Sequence, residues 1–160
     1  LEGIFYQLRR FTGVNPVNTG LVMVRGISEE IMPVSDTIDS SVYEFGYMTS
    51  PIPNSWIIVG FRGLKIKIEK YAIESAYLNP NNDHMKTWKL EGSDDLENWV
   101  VIDERKGVDE LNGPLKTKIF DVDEKSQNSF TFIRILQNEK NHRGNWNLCL
   151  NHFEFFGVLQ

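Results

Sequence analysis

Most of the chain is divided into short apolar segments that are bounded by turn-forming residues. From Gly20 onward, stretches rich in Val, Ile, Phe, Tyr and Trp alternate with clusters of Gly, Pro, Asn, Asp and Ser. Segments of this kind are typical of β-strands. The pattern predicts strands at 20–27, 42–47, 55–61, 64–75, 88–91, 99–103, 116–122, 130–136 and 147–156.

The apolar pattern within these segments indicates two packed sheets. The segment 64–75 alternates between apolar and charged residues, whereas "FTFIRIL" (130–136) and "HFEFFG" (152–157) are apolar on both faces. Strands that are apolar on both faces lie inside a sandwich. We therefore predict an all-β, two-sheet antiparallel β-sandwich in one domain over 1–160, with the sandwich at 20–157.

The first 19 residues are predicted to form a helical and loop extension. Ile4, Phe5, Leu8 and Phe11 recur at helical spacing within 3–12, and Gly13 is placed to end the helix.

Charge and cysteine content narrow the classes of partner and compartment. The net charge is -5, which argues against a nucleic acid as the partner and makes a membrane an unfavourable one. Cys149 is the one cysteine, so no intrachain disulfide forms. This absence favours a reducing compartment, and we predict a cytoplasmic, intracellular location.

The acidic stretch inside "WKLEGSDDLENWVVIDE" (88–104) is predicted to turn the chain. Gly, Ser and Asp favour turns, while the spacing of "SDDLE" does not match that of a calcium loop. The tip of a hairpin is exposed, unlike a pair of catalytic carboxylates, and both tryptophans are predicted to be core residues. No common catalytic motif is present, and Cys149 falls on a predicted core strand. We expect no enzyme and no cofactor.

The same stretch resembles discoidin domains, also called factor V/VIII type C domains, which are galactose-binding-like jelly rolls. "PNSWIIVGF" (53–61) and "FTFIRILQNEKNHRGNWNLCLNHFEFFG" (130–157) resemble an early strand and the closing strands of that family. The beginning, "GIFYQLRRFTGVNPVNTGLVMV", is similar to a subset found in intracellular multidomain proteins. Extracellular members commonly join their ends by a disulfide, which this chain has no cysteine pair to form.

Strand order predicts where the long connections lie. If successive strands run antiparallel, segments 28–53, 76–86, 106–114 and 137–146 gather at one end of the sandwich, which we name end A. The turn 92–98 and the loop 123–128 fall at the opposite end, end B. Long loops on a rigid scaffold commonly carry binding residues, and the family resemblance implies binding at the same end.

The end-A segments combine aromatic rings with amide, imidazole and guanidinium groups, which suit a neutral polar ligand or a peptide. Each candidate also has a structural alternative, such as inward packing for the tyrosines and a lid over the core for Trp146. The candidate ligand-binding residues are Tyr43, Tyr47, Asn81, His84, Asn141, Arg143 and Trp146. Sugar-binding relatives often hold a calcium ion, for which the resemblance points only to Asp39 and Glu154.

Three functions are compatible with the sequence. The first is non-catalytic recognition of a protein or peptide by the end-A loops, within a larger intracellular protein. The alternative is carbohydrate binding, of galactose-type sugars. The third is phospholipid-membrane association through Ile31 and Met32, which would form an exposed apolar spike.

Overall fold

The computed structural model describes residues 1–42, 46–77, 82–123 and 128–160. One α-helix, α1 (Ile4–Thr12), precedes the strands, and two short 3₁₀ helices cover Pro16–Thr19 and Val34–Ile38. The strands are β1 (Val22–Gly26), β2 (Tyr47–Met48), β3 (Trp56–Phe61), β4 (Ile66–Glu74), β5 (Trp88–Ser93), β6 (Val100–Arg105), β7 (Thr117–Asp121), β8 (Phe132–Leu136), β9 (Cys149–Leu150) and β10 (His152–Leu159).

The strands form two main antiparallel sheets, as predicted. One sheet has the order β1-β3-β8-β5-β6, and the other has the order β10-β4-β7. A small pair, β2 with β9, stands beside them. The predicted strand 147–156 is divided in two, because the chain changes partner at Asn151, whose N–H donates to the Glu74 carbonyl at 2.8 Å. Of the predicted strand 42–47, only Tyr47 lies in a strand, while 43–45 fall outside the described residues.

A continuous apolar core joins the two main sheets. Trp88 on β5 is fully buried and meets the Phe120 ring of β7 edge-on, with 5.2 Å between ring centroids. Its indole Nε1–H donates to the Tyr71 hydroxyl at 3.0 Å, and that hydroxyl donates to Asp103 at 2.6 Å. This chain of hydrogen bonds satisfies polar atoms that the aromatic packing removes from water.

Helix α1 packs into the sandwich through Phe5, which is fully buried. The Phe5 ring stacks on Phe61 of β3, and it also meets Phe153 and Phe155 of β10 at centroid distances of 5.7 and 5.3 Å. The helix ends where the sequence predicts, with Gly13 at φ 74°. The N-terminal segment therefore contributes to the core between the two sheets.

The first turn of α1 is capped by a side chain from the last strand. Glu154 on β10 accepts the backbone N–H groups of Phe5 at 2.8 Å and Tyr6 at 3.0 Å. A carboxylate at a helix N-terminus satisfies free N–H groups and interacts favourably with the helix dipole. Gly3 is required here, since a Cβ atom would lie 2.3 Å from the Glu154 side chain.

The acidic stretch is a hairpin turn at end B, as predicted. Asp95 accepts the backbone N–H groups of Glu97 and Asn98 at 2.9 and 2.8 Å, and these bonds hold the pKa of Asp95 well below its usual range. The prediction that both tryptophans are core residues is wrong for Trp99. The Trp99 ring is partly exposed, and the Arg134 guanidinium covers it at 4.0 Å from the centroid.

Candidate ligand-binding cleft at end A

The long connections meet at end A, as the strand order predicts. The His142 backbone N–H donates to the His84 carbonyl at 3.0 Å, which joins segment 137–146 to segment 82–86. The Val108 N–H donates to the Lys86 carbonyl at 2.8 Å, which adds segment 106–114.

The remaining long segment, 28–53, joins end A through Thr49. The buried Thr49 hydroxyl accepts the Leu148 N–H at 2.9 Å, and the Asn147 side-chain amide donates to the Thr49 carbonyl at 2.8 Å. Segments 46–53, 82–86, 106–114 and 137–146 thus belong to one end of the sandwich, whereas part of 28–42 packs against the N-terminal segment: Asp39 pairs with Arg9 at 2.8 Å, and the Ser35 carbonyl accepts the Asn15 side-chain amide at 3.1 Å.

A buried carboxylate anchors the outer loop. Asp83, which is 3% exposed, accepts hydrogen bonds from the side-chain amides of Asn141 at 3.3 Å and Asn145 at 3.1 Å. Its second oxygen lies 3.7 Å from Nη1 of Arg143. Because both asparagines and the arginine belong to one loop, a single buried group fixes that loop against segment 82–86.

The same loop is closed from within by Asn141. Its side-chain oxygen accepts the backbone N–H groups of Arg143 at 3.1 Å and Asn145 at 3.0 Å. Gly144 adopts φ 86°, a left-handed conformation that glycine provides without steric cost. The buried Asn141 amide also donates to the Asn147 carbonyl at 2.9 Å. The turn is therefore preorganised before any ligand arrives.

An open cleft of about 550 Å³ lies on the outer side of this loop. One wall carries the partly exposed Trp146, whose carbonyl accepts a hydrogen bond from the buried Gln137 amide at 3.1 Å. The lining combines one aromatic ring with charged and amide side chains, and its residues are Lys86, Glu139, Lys140, Asn141, His142, Arg143, Gly144 and Trp146.

The position of a proton on the His142 ring follows from the group that its Nε2 contacts. Its Nε2 lies 2.7 Å from the Val108 carbonyl oxygen. A carbonyl oxygen only accepts, so Nε2 carries a proton and donates it to Val108. His142 thus also ties the loop to segment 106–114.

The structure brings three of the predicted site residues into the cleft, each with a different exposure. Arg143 has 49% of its side chain exposed, and Trp146 is partly exposed. Asn141 lines the cleft but is 3% exposed, and its polar atoms hold the loop together. Arg143 and Trp146 are therefore the predicted residues that the structure leaves accessible in the cleft.

The structure contradicts the prediction that Tyr47 contacts a ligand. It is fully buried in β2, and its hydroxyl donates to the Ser28 carbonyl. Burial raises the pKa of that hydroxyl, with Glu29 adding to the effect. Tyr47 packs inward, so it supports end A from below and does not contact a ligand.

His84 is also buried, at 1% exposure, directly below the cleft loops. Neither of its ring nitrogens has a hydrogen-bond partner in the described part of the chain. Burial lowers the pKa of His84, and the nearby His142 lowers it further, while Asp83 acts in the opposite direction. Its place is in the supporting layer rather than on the ligand-facing surface.

The other predicted site residues lie away from the cleft or outside the residues that the structure describes. Tyr43 and Asn81 fall outside the described residues. The two weak metal candidates have protein partners: Asp39 pairs with Arg9 at 2.8 Å, and Glu154 caps α1. Over 1–42, 46–77, 82–123 and 128–160, no group of three or more His, Cys, Asp or Glu residues is arranged to hold a metal ion.

The cleft also contains residues that were not predicted to form it. Lys86, Glu139, Lys140 and His142 line it. His142 belongs to the predicted loop, and the charged run "NEKNHR" (138–143) is the signal that would have pointed to its neighbours. Lys86 follows buried Met85, and its outward direction is set by the packing of that segment.

Two further predictions are settled by burial. Met32 is 1% exposed, so Ile31 and Met32 do not form the apolar spike that a membrane contact would require. Cys149 is buried on β9, where desolvation raises the pKa of its thiol and makes a nucleophilic role unfavourable. Among the described residues, no helix has the length and apolar character to cross a bilayer.

No protein-family model and no curated protein sequence matches the chain. Solved structures do. CpGH89CBM32-5 from Clostridium perfringens, in complex with GalNAc-β-1,3-galactose, has a TM-score of 0.65 and 17% identity, over 86% of this chain and 96% of that one. The family 32 carbohydrate-binding module of C. perfringens NanJ, in complex with galactose, has a TM-score of 0.63 and 16% identity, over 87% and 93% of the two chains.

An enzyme is also among the similar structures. Allantoicase from Saccharomyces cerevisiae has a TM-score of 0.61 and 13% identity, over 86% of this chain and 40% of that one. Identities this low speak for the fold and not for a shared activity. The chain has the discoidin-like, galactose-binding-like β-sandwich fold of the family 32 carbohydrate-binding modules.

Proposed function

We propose that this chain is a non-catalytic carbohydrate-binding module and that its end-A cleft binds a saccharide. The observation that carries the proposal is the cleft itself. A partly exposed tryptophan and a half-exposed arginine stand on a turn that buried Asp83 and Asn141 hold in place. Aromatic rings cover the apolar faces of sugars, while guanidinium and amide groups bond to their hydroxyls.

The similar structures favour carbohydrate over the protein or peptide partner that we placed first from the sequence. Two of them are in complex with galactose or with GalNAc-β-1,3-galactose, and none of the features of the cleft singles out a protein partner. The cleft is open and small, which suits one or two sugar rings better than an extended protein surface.

A binding role also agrees with the side chains that line the cleft. Among its described lining residues, none is a serine, threonine or cysteine. His142 uses Nε2 to hold the Val108 carbonyl, so that nitrogen is committed to loop structure. Similarity to allantoicase extends to the fold, and we assign no reaction to the cleft.

Titration by isothermal calorimetry with galactose and with GalNAc-β-1,3-galactose tests the proposal. The Trp146→Ala variant is expected to weaken binding by roughly tenfold or more, since stacking and burial contribute about 1–3 kcal/mol. Arg143→Gln is expected to weaken it as well, through loss of charge-assisted hydrogen bonds.

Matched substitutions at end B control for general damage to the fold. Trp99→Ala removes another partly exposed tryptophan, and Arg62→Gln removes an exposed arginine. Both controls are expected to bind as the unmodified chain does. If neither saccharide binds, or if the end-A and end-B variants lose affinity equally, the proposed site is wrong.

A further inference from the structure

The lining of the end-A cleft has an excess of positive charge, whereas the chain as a whole is acidic. The whole chain carries a net charge of -5. The cleft lining nevertheless holds three cationic side chains, Lys86, Lys140 and Arg143, against one carboxylate, Glu139. Asp83 lies beneath Arg143 and offsets part of this excess, but one more cation than carboxylates remains.

The two lysines are held in different ways from the arginine. Both are exposed, and neither forms an ion pair within the described residues. Elsewhere, the exposed Lys65 pairs with Asp94 and the partly exposed Lys118 pairs with Glu110, at 3.0 Å in both cases. Arg143, in contrast, is oriented by Asp83 at 3.7 Å and by its place in the closed turn.

This arrangement suits a negative charge that enters beside the sugar ring. A guanidinium matches the two oxygens of a carboxylate or sulfate, and the two flexible ammonium groups of the lining add attraction. A neutral sugar would use the tryptophan and the hydrogen-bond donors but would gain nothing from the excess of positive charge.

We propose that the cleft selects acidic saccharides, in which a sugar ring carries a carboxylate or a sulfate group, over their neutral counterparts. This inference rests on the proposed carbohydrate-binding function and names the ligand class for the same cleft. The sugar ring lies against Trp146, and the anionic group lies among Lys86, Lys140 and Arg143.

Galactose and galacturonic acid form a matched pair of probes, because they differ only in a hydroxymethyl and a carboxylate group. Methyl glycosides of both are titrated into the ¹⁵N-labelled chain and followed by NMR. Galacturonate is expected to bind about tenfold more tightly than galactose at low salt, from one or two screened charge contacts. Raising the salt is expected to weaken galacturonate binding and to leave galactose binding unchanged.

Charge-removing variants locate the effect. Lys86→Gln and Lys140→Gln are expected to weaken galacturonate binding by a few-fold each, and to weaken it more than they weaken galactose binding. Lys70→Gln, at an exposed position on β4, is the matched control and is expected to change neither affinity.

The possible failures are distinguishable. If galactose binds as well as or better than galacturonate, or if salt weakens neither, the selection for acidic saccharides is overturned and the proposed function stands. If neither sugar shifts resonances at the cleft, the proposed function falls, and this inference falls with it.

Discussion

The two ends of the sandwich satisfy the polar groups of their strand connections in opposite ways. At end B, Ser93 and Asp95 bond to partners two or three positions away, and Asp94 alone of this turn's acidic residues reaches Thr131 and Lys65, 37 and 29 positions away. At end A, Asp83 bonds to Asn141 and Asn145, which are 58 and 62 positions away. The Thr49 hydroxyl reaches Leu148 across 99 positions.

The difference teaches where stability and recognition are located. Asp94, Asp95, Glu97 and Asn98 at end B are exposed, although Ser93 is buried, and water replaces a lost partner of the exposed groups at small cost. End-A groups are buried, so a lost partner leaves another group unsatisfied. End A therefore has a rigid buried layer, with Asp83, Asn141 and Thr49, below an outer layer with Lys86, Arg143 and Trp146.

The largest expected effect comes from Asp83→Ala. Two asparagine amides lose their acceptor and Arg143 loses its counter-ion, so we expect the free energy of unfolding in urea to fall by about 2–3 kcal/mol. Saccharide binding is expected to fall with it. Asp94→Ala at end B is the control, because Asp94 also accepts a backbone N–H but is exposed. Equal losses in both variants would erase the contrast between the ends.

Thr49→Val tests whether segment 28–53 is coupled to the cleft loop. The substitution keeps the shape of the side chain and removes the acceptor for the Leu148 N–H. We expect a loss of about 1–2 kcal/mol in urea denaturation, since a buried N–H is left without a partner. Thr131→Val at end B, a partly exposed position, is expected to cost less than half as much. A neutral Thr49→Val variant would argue against the coupling.

The third expectation concerns pH and His84. Its folded-state pKa lies below the unfolded value of about 6.5, so the unfolded chain binds the proton more readily. The contribution to stability is complete above pH 6.5 and is lost as the pH falls below it. Glu154 acts oppositely, because burial raises its pKa to about 7 and its contribution declines as the pH rises towards 7.

Comparison with His84→Leu isolates the histidine, because the Glu154 contribution is common to both proteins. Unfolding free energies are measured in urea from pH 7 down to pH 5. The unmodified chain is expected to lose more stability than the variant over this range. Parallel curves would show that His84 does not report on the packing of end A.

The smallest effect is expected from Asp95→Ala at the tip of end B. Asp95 accepts several hydrogen bonds within its own turn, and the Glu97 and Asn98 donors are exposed, while the Ser93 hydroxyl is the one buried donor. We expect the urea midpoint to change less than in any variant above and saccharide binding to stay unchanged. A loss of binding here would mean that end B communicates with the cleft.

The contrast between local contacts at end B and long-range contacts at end A also explains which features could be predicted from the sequence. The turn at end B was predictable, because Ser93 and Asp95 act on their own neighbours, whereas Gly92, expected in the turn, lies in β5 and makes room for the Phe130 ring. The strands and the gathering of the loops at end A were predictable from alternation and from the reversal of successive strands. The burial of Tyr47 and the partial exposure of Trp99 were not, because each depends on residues that are distant in the sequence. The single-domain organisation and the cytoplasmic location remain predictions.

The cap on α1 has a consequence for the order of folding. Glu154 lies 149 positions after Phe5, the first N–H that it accepts. During synthesis, the residues of α1 are therefore made before β10. The cap on the first turn of α1 forms only after β10 has been made and has paired with β4. Such long-range closure is slow relative to local helix formation. A chain that stops short of β10 leaves the first N–H groups of α1 without their acceptor, although Phe5 can still meet Phe61 and Arg9 can still pair with Asp39.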